Sequence, residues 1–286
     1  MFMINLRNGE IYVIKLKTFG SFTVGNDLTS VQEGAWRSKK LEKLFVYLAI
    51  NRNRGVCIED ISKAIWQVEE ETDNPVGALK NLAYRLRKAL RDASFDEECI
   101  VSVRGGLYKW NDDVEVSIDV EEFDRYINEA EFAFSRSKET AIESYEKAIA
   151  LYNGDFLSRL TDTHWFMTLN AFYHSRYVNT VKALAKLYID TGCYEKLEQL
   201  CIRAIVYERS DEQIYSYLIM ARMRTKKVQM AFDTYETAKA IMDKDLGVRK
   251  TVMLNKVYEE LLSVTKGASS YNIDEVKDDI SEESMN

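Results

Sequence analysis

Proline is nearly absent, with one residue in 286, and glycine is sparse at 12. A chain so poor in helix breakers favours helices and argues against β-sandwich, collagen-like and proline-rich architectures. No two of the four cysteines, Cys57, Cys99, Cys193 and Cys201, form a C-x-x-C pair, so zinc-finger and thioredoxin readings fail. Free thiols in a reducing cytoplasm are the expectation. His164 and His174 are the only histidines, and their spacing fits no zincin motif. No metal and no cofactor are therefore expected. No run approaches the roughly 18 apolar residues of a membrane helix. Met1–Glu10 lacks a basic segment followed by an apolar core, so no secretory signal is read there. These absences predict a cytoplasmic chain with no membrane partner. Walker, G-x-S-x-G, G-x-G-x-x-G and H-E-x-x-H patterns are missing too, so no catalytic residue is assigned and an enzyme is not expected.

What is present is divided by charge. The formal net charge is −7, but residues 1–113 carry +1 and residues 114–286 carry −8. An acidic total does not exclude nucleic acid as a partner if one face concentrates base.

Residues 11–24 alternate β-branched and aromatic residues around Gly20, the pattern of a short hairpin or meander. After Ser38, a candidate cap, Leu41, Leu44, Phe45, Leu48 and Ala49 share one helical face. A shorter helix from Ile58 to Trp66 turns Ile58, Ile61, Ile65 and Trp66 inward, and Glu69–Asp73 forms an acidic loop. Asp73 or Asn74 then caps a third helix, with Pro75 at its first position, where a missing N–H costs nothing. At 100° per residue, Val76, Leu79, Leu82, Ala83, Leu86, Ala89 and Leu90 fall on one arc. Lys80, Asn81, Tyr84, Arg87, Lys88 and Arg91 fall on the other, with Arg85 at its edge. Between Pro75 and Arg91 there are five basic residues and no acid. That pattern suits a helix in the major groove of double-stranded DNA. Lys80, Asn81 and Tyr84, towards its N-terminus, are expected to read base edges. Arg87, Lys88 and Arg91 are expected to hold phosphates. Cys99–Trp110 follows as two strands about Arg104-Gly105-Gly106, and Arg104 and Lys109 would meet phosphate or the minor groove. This is the layout of a winged helix-turn-helix.

These elements resemble the OmpR-type winged-helix domain over roughly 100 residues. The resemblance is carried by Leu41, Leu44, Leu48, Ile61 and Trp66, by the Arg85-Leu86-Arg87-Lys88 and Leu90 run, and by Val103, Arg104, Gly105 and Tyr108. Gly106-Leu107 stands where the commoner pattern has a Val-Gly pair.

The remainder is helical and repetitive. Val120, Phe123 and Ile127 mark one helix face. Ala141–Ala148, Leu197–Ala204 and Ala231–Ala238 align by residue type, the last two 34 residues apart, and Leu184 and Leu187 align with Leu218 and Ala221 at the same offset. A 34-residue helix–turn–helix period is the tetratricopeptide signature. The first stretch is out of phase, so an insertion is read around Asn153–Tyr173. Phe156, His164, Trp165, Phe166, Phe172, Tyr173 and Tyr177 make this region dense in aromatics, mostly for packing, with a small-molecule or peptide effector pocket left open.

A winged helix, then Asp119-Val120 and Phe123, then Ala148–Leu157, then repeats ending Asp245–Val248, resembles the Streptomyces antibiotic regulatory protein family. Its layout joins an OmpR-type winged helix to a bacterial transcriptional activator domain. Two departures stand out: Arg249-Lys250-Thr251 follows where the family has a Pro-rich stretch, and a proline common between repeats is replaced near Arg209-Ser210. The resemblance implies an activator that binds promoter repeats and recruits RNA polymerase. The expected fold is mainly α, a winged helix-turn-helix with a small β-meander and wing followed by a tetratricopeptide-like domain. The expected divisions are 11–113, 114–265 and an acidic tail at 266–286. Homodimerisation is left open. The alternative is a protein-interaction adaptor that binds no DNA.

Within the tail, residues 271–286 hold six acids against Lys277 and little to bury. Their deletion is expected to move the melting temperature by less than about 2 °C, read by differential scanning calorimetry.

Overall fold

The computed structural model describes residues 6–7, 10–11, 13–26, 29–67, 74–95, 99–103, 106–246 and 251–263. The acidic loop Glu69–Asp73, the wing-tip residues Arg104 and Gly105, and the acidic tail lie outside the described residues. The chain divides into two compact units, Met1–Tyr177 and Val178–Asn286.

In the first unit, β1 (Leu6–Arg7) and β2 (Glu10–Ile11) form a small antiparallel pair. The main sheet runs in the order β5-β4-β3-β8, from β3 (Val13–Lys17), β4 (Thr23–Gly25), β5 (Ser30–Gln32) and β8 (Glu115–Ile118). β3 and β4 form the hairpin expected over residues 11–24, and β5, beyond that span, extends it to a meander. β8 joins β3 in parallel, Val13 opposite Glu115 through Leu16 opposite Ile118, so residues beyond Asp113 complete the N-terminal sheet. Alternation in β3 buries Ile14 and Leu16 and exposes Lys15 and Lys17.

Between these strands lie α1 (Lys39–Ile50), α2 (Ile58–Ile65), α3 (Pro75–Asp92) and the hairpin of β6 (Ile100–Val103) and β7 (Leu107–Trp110). Leu44, Phe45 and Leu48 of α1 meet Ile61 and Ile65 of α2 and Leu79, Leu86 and Leu90 of α3 in a core with almost no exposure. Trp110 closes it, edge-on to Phe45 with centroids 5.4 Å apart, its indole N–H donating to the Val114 carbonyl at 2.7 Å. Three residues depart from the expectation. Ser38 stands at the cap position of α1, but its hydroxyl makes no capping hydrogen bond. Trp66 is half-exposed rather than inward, because its backbone has already turned extended, and Lys40 lies over its ring. Ile58, at the first position of α2, is likewise only half-buried.

The unit continues into α4 (Asp119–Ala133), α5 (Lys138–Leu151) and the start of α6 (His164–Thr191), a helix that runs across the division. Its residues clasp the β3–β4 turn. The Asp119 carboxylate accepts from the backbone N–H of Thr18 (2.7 Å) and Phe19 (3.0 Å) and from the Thr18 hydroxyl (2.5 Å). On the other side, residues 155–157 pair with 18–20: Gly20 N–H donates to the Asp155 carbonyl at 3.2 Å and Leu157 N–H to the Thr18 carbonyl at 2.9 Å. The Phe19 ring is enclosed by Phe123, Tyr152 and Tyr173, at centroid distances of 5.1, 4.9 and 5.7 Å. Gly20 and Gly154 let the two backbones approach, since a Cβ on Gly20 would lie 2.6 Å from the Asn153 carbonyl oxygen. The motif residues Asp119, Phe123 and Gly154–Leu157 thus all serve one joint.

The second unit holds the rest of α6, α7 (Tyr194–Tyr207), α8 (Glu212–Arg224), α9 (Val228–Leu246) and α10 (252–263). The 34-residue period is visible in detail. Leu197 and Ala231, and Ala204 and Ala238, are fully buried pairs at that offset, where small residues admit a neighbouring helix. The turns repeat as well. Gly192 and Lys226 both have positive φ, and the next N–H closes back five residues, Cys193 to the Tyr188 carbonyl and Lys227 to that of Arg222, both 2.8 Å. Glu198 is buried between Arg222 (3.2 Å) and Lys227 (2.6 Å). Burial alone would raise its carboxyl, but the two cations hold it below the ordinary value.

Gly20→Ala combines a left-handed backbone, φ +78°, with a clash against backbone rather than a movable side chain. It is expected to destabilise the first unit by about 2–4 kcal/mol in urea unfolding.

Candidate nucleic-acid interface

α3 is built to start abruptly. The Asn74 side chain accepts from the Gly77 N–H at 2.8 Å, and Pro75 occupies the first position, as the sequence predicts. Leu79, Leu82, Ala83, Leu86 and Leu90 anchor its inner face. Lys80, Asn81, Tyr84, Arg85, Lys88 and Arg91 are exposed, and Arg87, at the border of the arc, is half-buried. Tyr84 is 66% exposed, although an aromatic ring gains most by burial. Six of the eight residues singled out from the sequence, Lys80, Asn81, Tyr84, Arg87, Lys88 and Arg91, are therefore on this one helix, and five of them are fully outward.

Val76 was expected inward and is not. It sits at the border of the buried arc, in the first turn, and is 43% exposed. In its first turn the helix end projects past the core that would cover this side chain.

The hairpin is fixed beside the helices by backbone bonds. Val56, in the α1–α2 loop, exchanges both hydrogen bonds with Tyr108, at 2.7 and 2.9 Å. Lys109 projects from β7 and pairs with Asp112. Such a surface pair is worth at most about 1 kcal/mol, so phosphate can replace the carboxylate. Arg104 lies outside the described residues, and so does the acidic loop Glu69–Asp73 that precedes α3.

The aromatics of the insertion are mostly structural. Phe156, Phe166, Tyr173 and Tyr177 are buried, Trp165 packs edge-on to Tyr47 at 4.8 Å, and Phe172 and His164 are exposed. An open depression of about 520 Å³ runs along α4 past Glu121, Asp124, Arg125, Asn128, Glu129 and Phe132. Its acids already have partners: Glu121 pairs with Arg52, Asp124 with Arg176 and Glu129 with Arg125. No described helix is long and apolar enough to cross a membrane.

A family profile described as "Bacterial transcriptional activator domain" matches residues 118–262. The chain belongs to that family. It is a transcriptional regulator with the winged-helix and tetratricopeptide-like architecture of the Streptomyces antibiotic regulatory proteins. Among curated proteins it is similar to the transcriptional regulator RedD of Streptomyces coelicolor, 23% identical over 238 residues that span 82% of this chain and 67% of RedD. Among solved structures it is similar to Mycobacterium tuberculosis EmbR in complex with a low affinity phosphopeptide, with a TM-score of 0.66 at 19% identity over 92% of this chain and 70% of that one. At that identity the likeness speaks to fold.

The cap at α3 gives a local test. Asn74→Ala leaves the Gly77 N–H without its partner and is expected to cost about 1 kcal/mol in urea unfolding, with the slope unchanged.

Proposed function

We propose that this regulator binds double-stranded promoter DNA through α3 and activates transcription by contacting RNA polymerase through its helical domain. The observation that carries the DNA reading is the division of α3: an apolar face closed into the helix-turn-helix core, and an outward arc of Lys80, Asn81, Tyr84, Lys88 and Arg91 with no acid from Pro75 to Arg91. Such a helix fits the major groove. Lys80, Asn81 and Tyr84, nearest its N-terminus, read base edges. Val76 joins them, since an exposed apolar side chain there matches the C5-methyl group of thymine. Arg87, Lys88, Arg91, Lys109 and Arg104 hold phosphates and set the register. The DNA-binding part is taken as 11–113, the activator part as 114–265. The family's description supports activation, the likeness to the regulator RedD supports a role in transcription, and binding to promoter repeats and polymerase contact are what the resemblance of the sequence implies.

The test is a binding series for Arg87→Ala and Lys88→Ala across salt concentrations, on duplexes recovered by genomic pull-down with the full chain. Each substitution is expected to weaken all duplexes alike and to reduce the salt slope by roughly one ion. Asn81→Ala is expected instead to relax sequence preference by about 1–3 kcal/mol. Circular dichroism controls for folding. Unchanged affinity in folded variants would overturn the DNA reading in favour of the protein-interaction adaptor.

A further inference from the structure

The last carbonyls of a helix have no partner within it. In α2, which packs against α3 and leads into it, two of them are satisfied in an unusual way. The Ala64 carbonyl accepts from the hydroxyl of Thr163, ninety-nine residues away, at 2.7 Å, and the bond is buried. The Ile65 carbonyl accepts from Lys43 Nζ at 3.3 Å, also buried. Lys43 itself has a side chain only 2% exposed and pairs with Asp162, with its ammonium 5.7 Å from the Phe166 ring. Asp162 and Thr163 are consecutive, fall within the activator-domain match and stand immediately before α6.

Neither interaction is needed to bury apolar surface. A lysine so enclosed is tolerated only with its charge answered, and Asp162 answers it from outside the winged helix. Trp165, two residues further on, packs on Tyr47 of α1, so the same segment holds both helices that support α3.

We infer that Asp162 and Thr163 are positioning residues for DNA recognition. They fix the end of α2, and through it the angle at which α3 is presented, so that the activator segment is part of the sequence-reading device. The inference rests on the DNA reading proposed above. It goes further in assigning sequence discrimination to two side chains that touch no DNA. Phosphate contacts along α3 tolerate a small rotation, whereas base contacts do not.

Thr163→Val removes the hydroxyl while keeping the branched shape, and Thr163→Ser keeps the hydroxyl. The full chain and both variants are titrated with a fluorescent duplex selected from a randomised pool by the wild-type protein, and with an unrelated duplex of equal length. Thr163→Val is expected to bind the selected duplex about tenfold more weakly, the loss of roughly one hydrogen bond, and the unrelated duplex as before. Thr163→Ser is expected to restore discrimination. Equal binding of the selected duplex by Thr163→Val and wild type would overturn the inference. So would an equal loss on both duplexes, which marks a merely structural role. Hydrogen exchange over 75–92 reads the clamp without DNA: faster exchange in Thr163→Val is expected, and unchanged exchange overturns it. A wild-type chain that enriches no duplex from the pool, while Thr163→Val still shows the exchange difference, would overturn the DNA reading and leave the clamp standing.

Discussion

The structure of the first unit turns on three residues, Thr18, Phe19 and Gly20, at the end of β3. Their backbone groups would be orphaned by the turn, and an unpaired buried N–H costs as much as a lost hydrogen bond. Asp119 supplies the acceptors from one side and residues 155–157 supply a backbone pairing from the other. For this Asp119 is itself half-buried. Burial lifts its carboxyl above the ordinary value, against hydrogen bonds from Phe19, Thr18 and Val120 that favour the anion. Below the raised value the folded state binds a proton that the unfolded chain does not, so Asp119 lends stability on acidification through that window and none on raising the pH. The joint is therefore kept by the number of donors around the carboxylate, not by its charge alone.

That arrangement changes what the motif residues mean. Asp119, Phe123, Gly154, Asp155, Phe156 and Leu157 look like a signature of function, yet each is spent on holding the N-terminal sheet to α4 and α5. Asp155 adds a further tie, accepting from the Tyr152 hydroxyl at 2.6 Å with His174 Nδ1 at 2.9 Å. The exposed chemistry is left to the outward arc of α3 and to the hairpin, which are anchored through Leu79, Leu82, Ala83, Leu86, Leu90, Tyr108 and Trp110. A division of this kind lets readers on α3 change without loss of fold, while a change at Gly20 or Asp119 would be felt throughout.

What could be read from the sequence was what repeats or alternates. α1, α3, α4 and the 34-residue period were legible because each has one buried face, and buried faces write themselves at 3.6 residues per turn. Asn74 and Pro75 were legible because capping is local. The Gly20–Gly154 approach was not, since it couples segments more than a hundred residues apart and neither carries a sign of the other. Lys43 was hidden for a different reason. In KKLEKL it looks like one more solvated base, and only the fold reveals that Asp162 draws it inside. Lys226 masked the second repeat turn, because a lysine sits in the left-handed conformation that Gly192 announces in the first. The α3 readers lie between these cases: their arc was legible, but what they touch is a property of a partner that the fold alone does not contain.

The disposition of charge completes the argument. Lys43 and Glu198 are buried and Asp119 half-buried where elements join, each answered by named donors or counter-charges, because an unanswered charge in the interior costs several kcal/mol, on the order of its desolvation penalty. α3 obeys the opposite rule. An 18-residue helix is about 27 Å long, longer than the roughly 8–10 Å over which salt screens charge. Exposed acids that lie more than a screening length from a point on the helix act only weakly there. What a phosphate meets there is set by the residues of α3 itself, which from Pro75 to Arg91 are basic, polar or apolar and never acidic. An acidic protein can in this way present a basic helix, provided that its acids are kept off the stretch from Pro75 to Arg91.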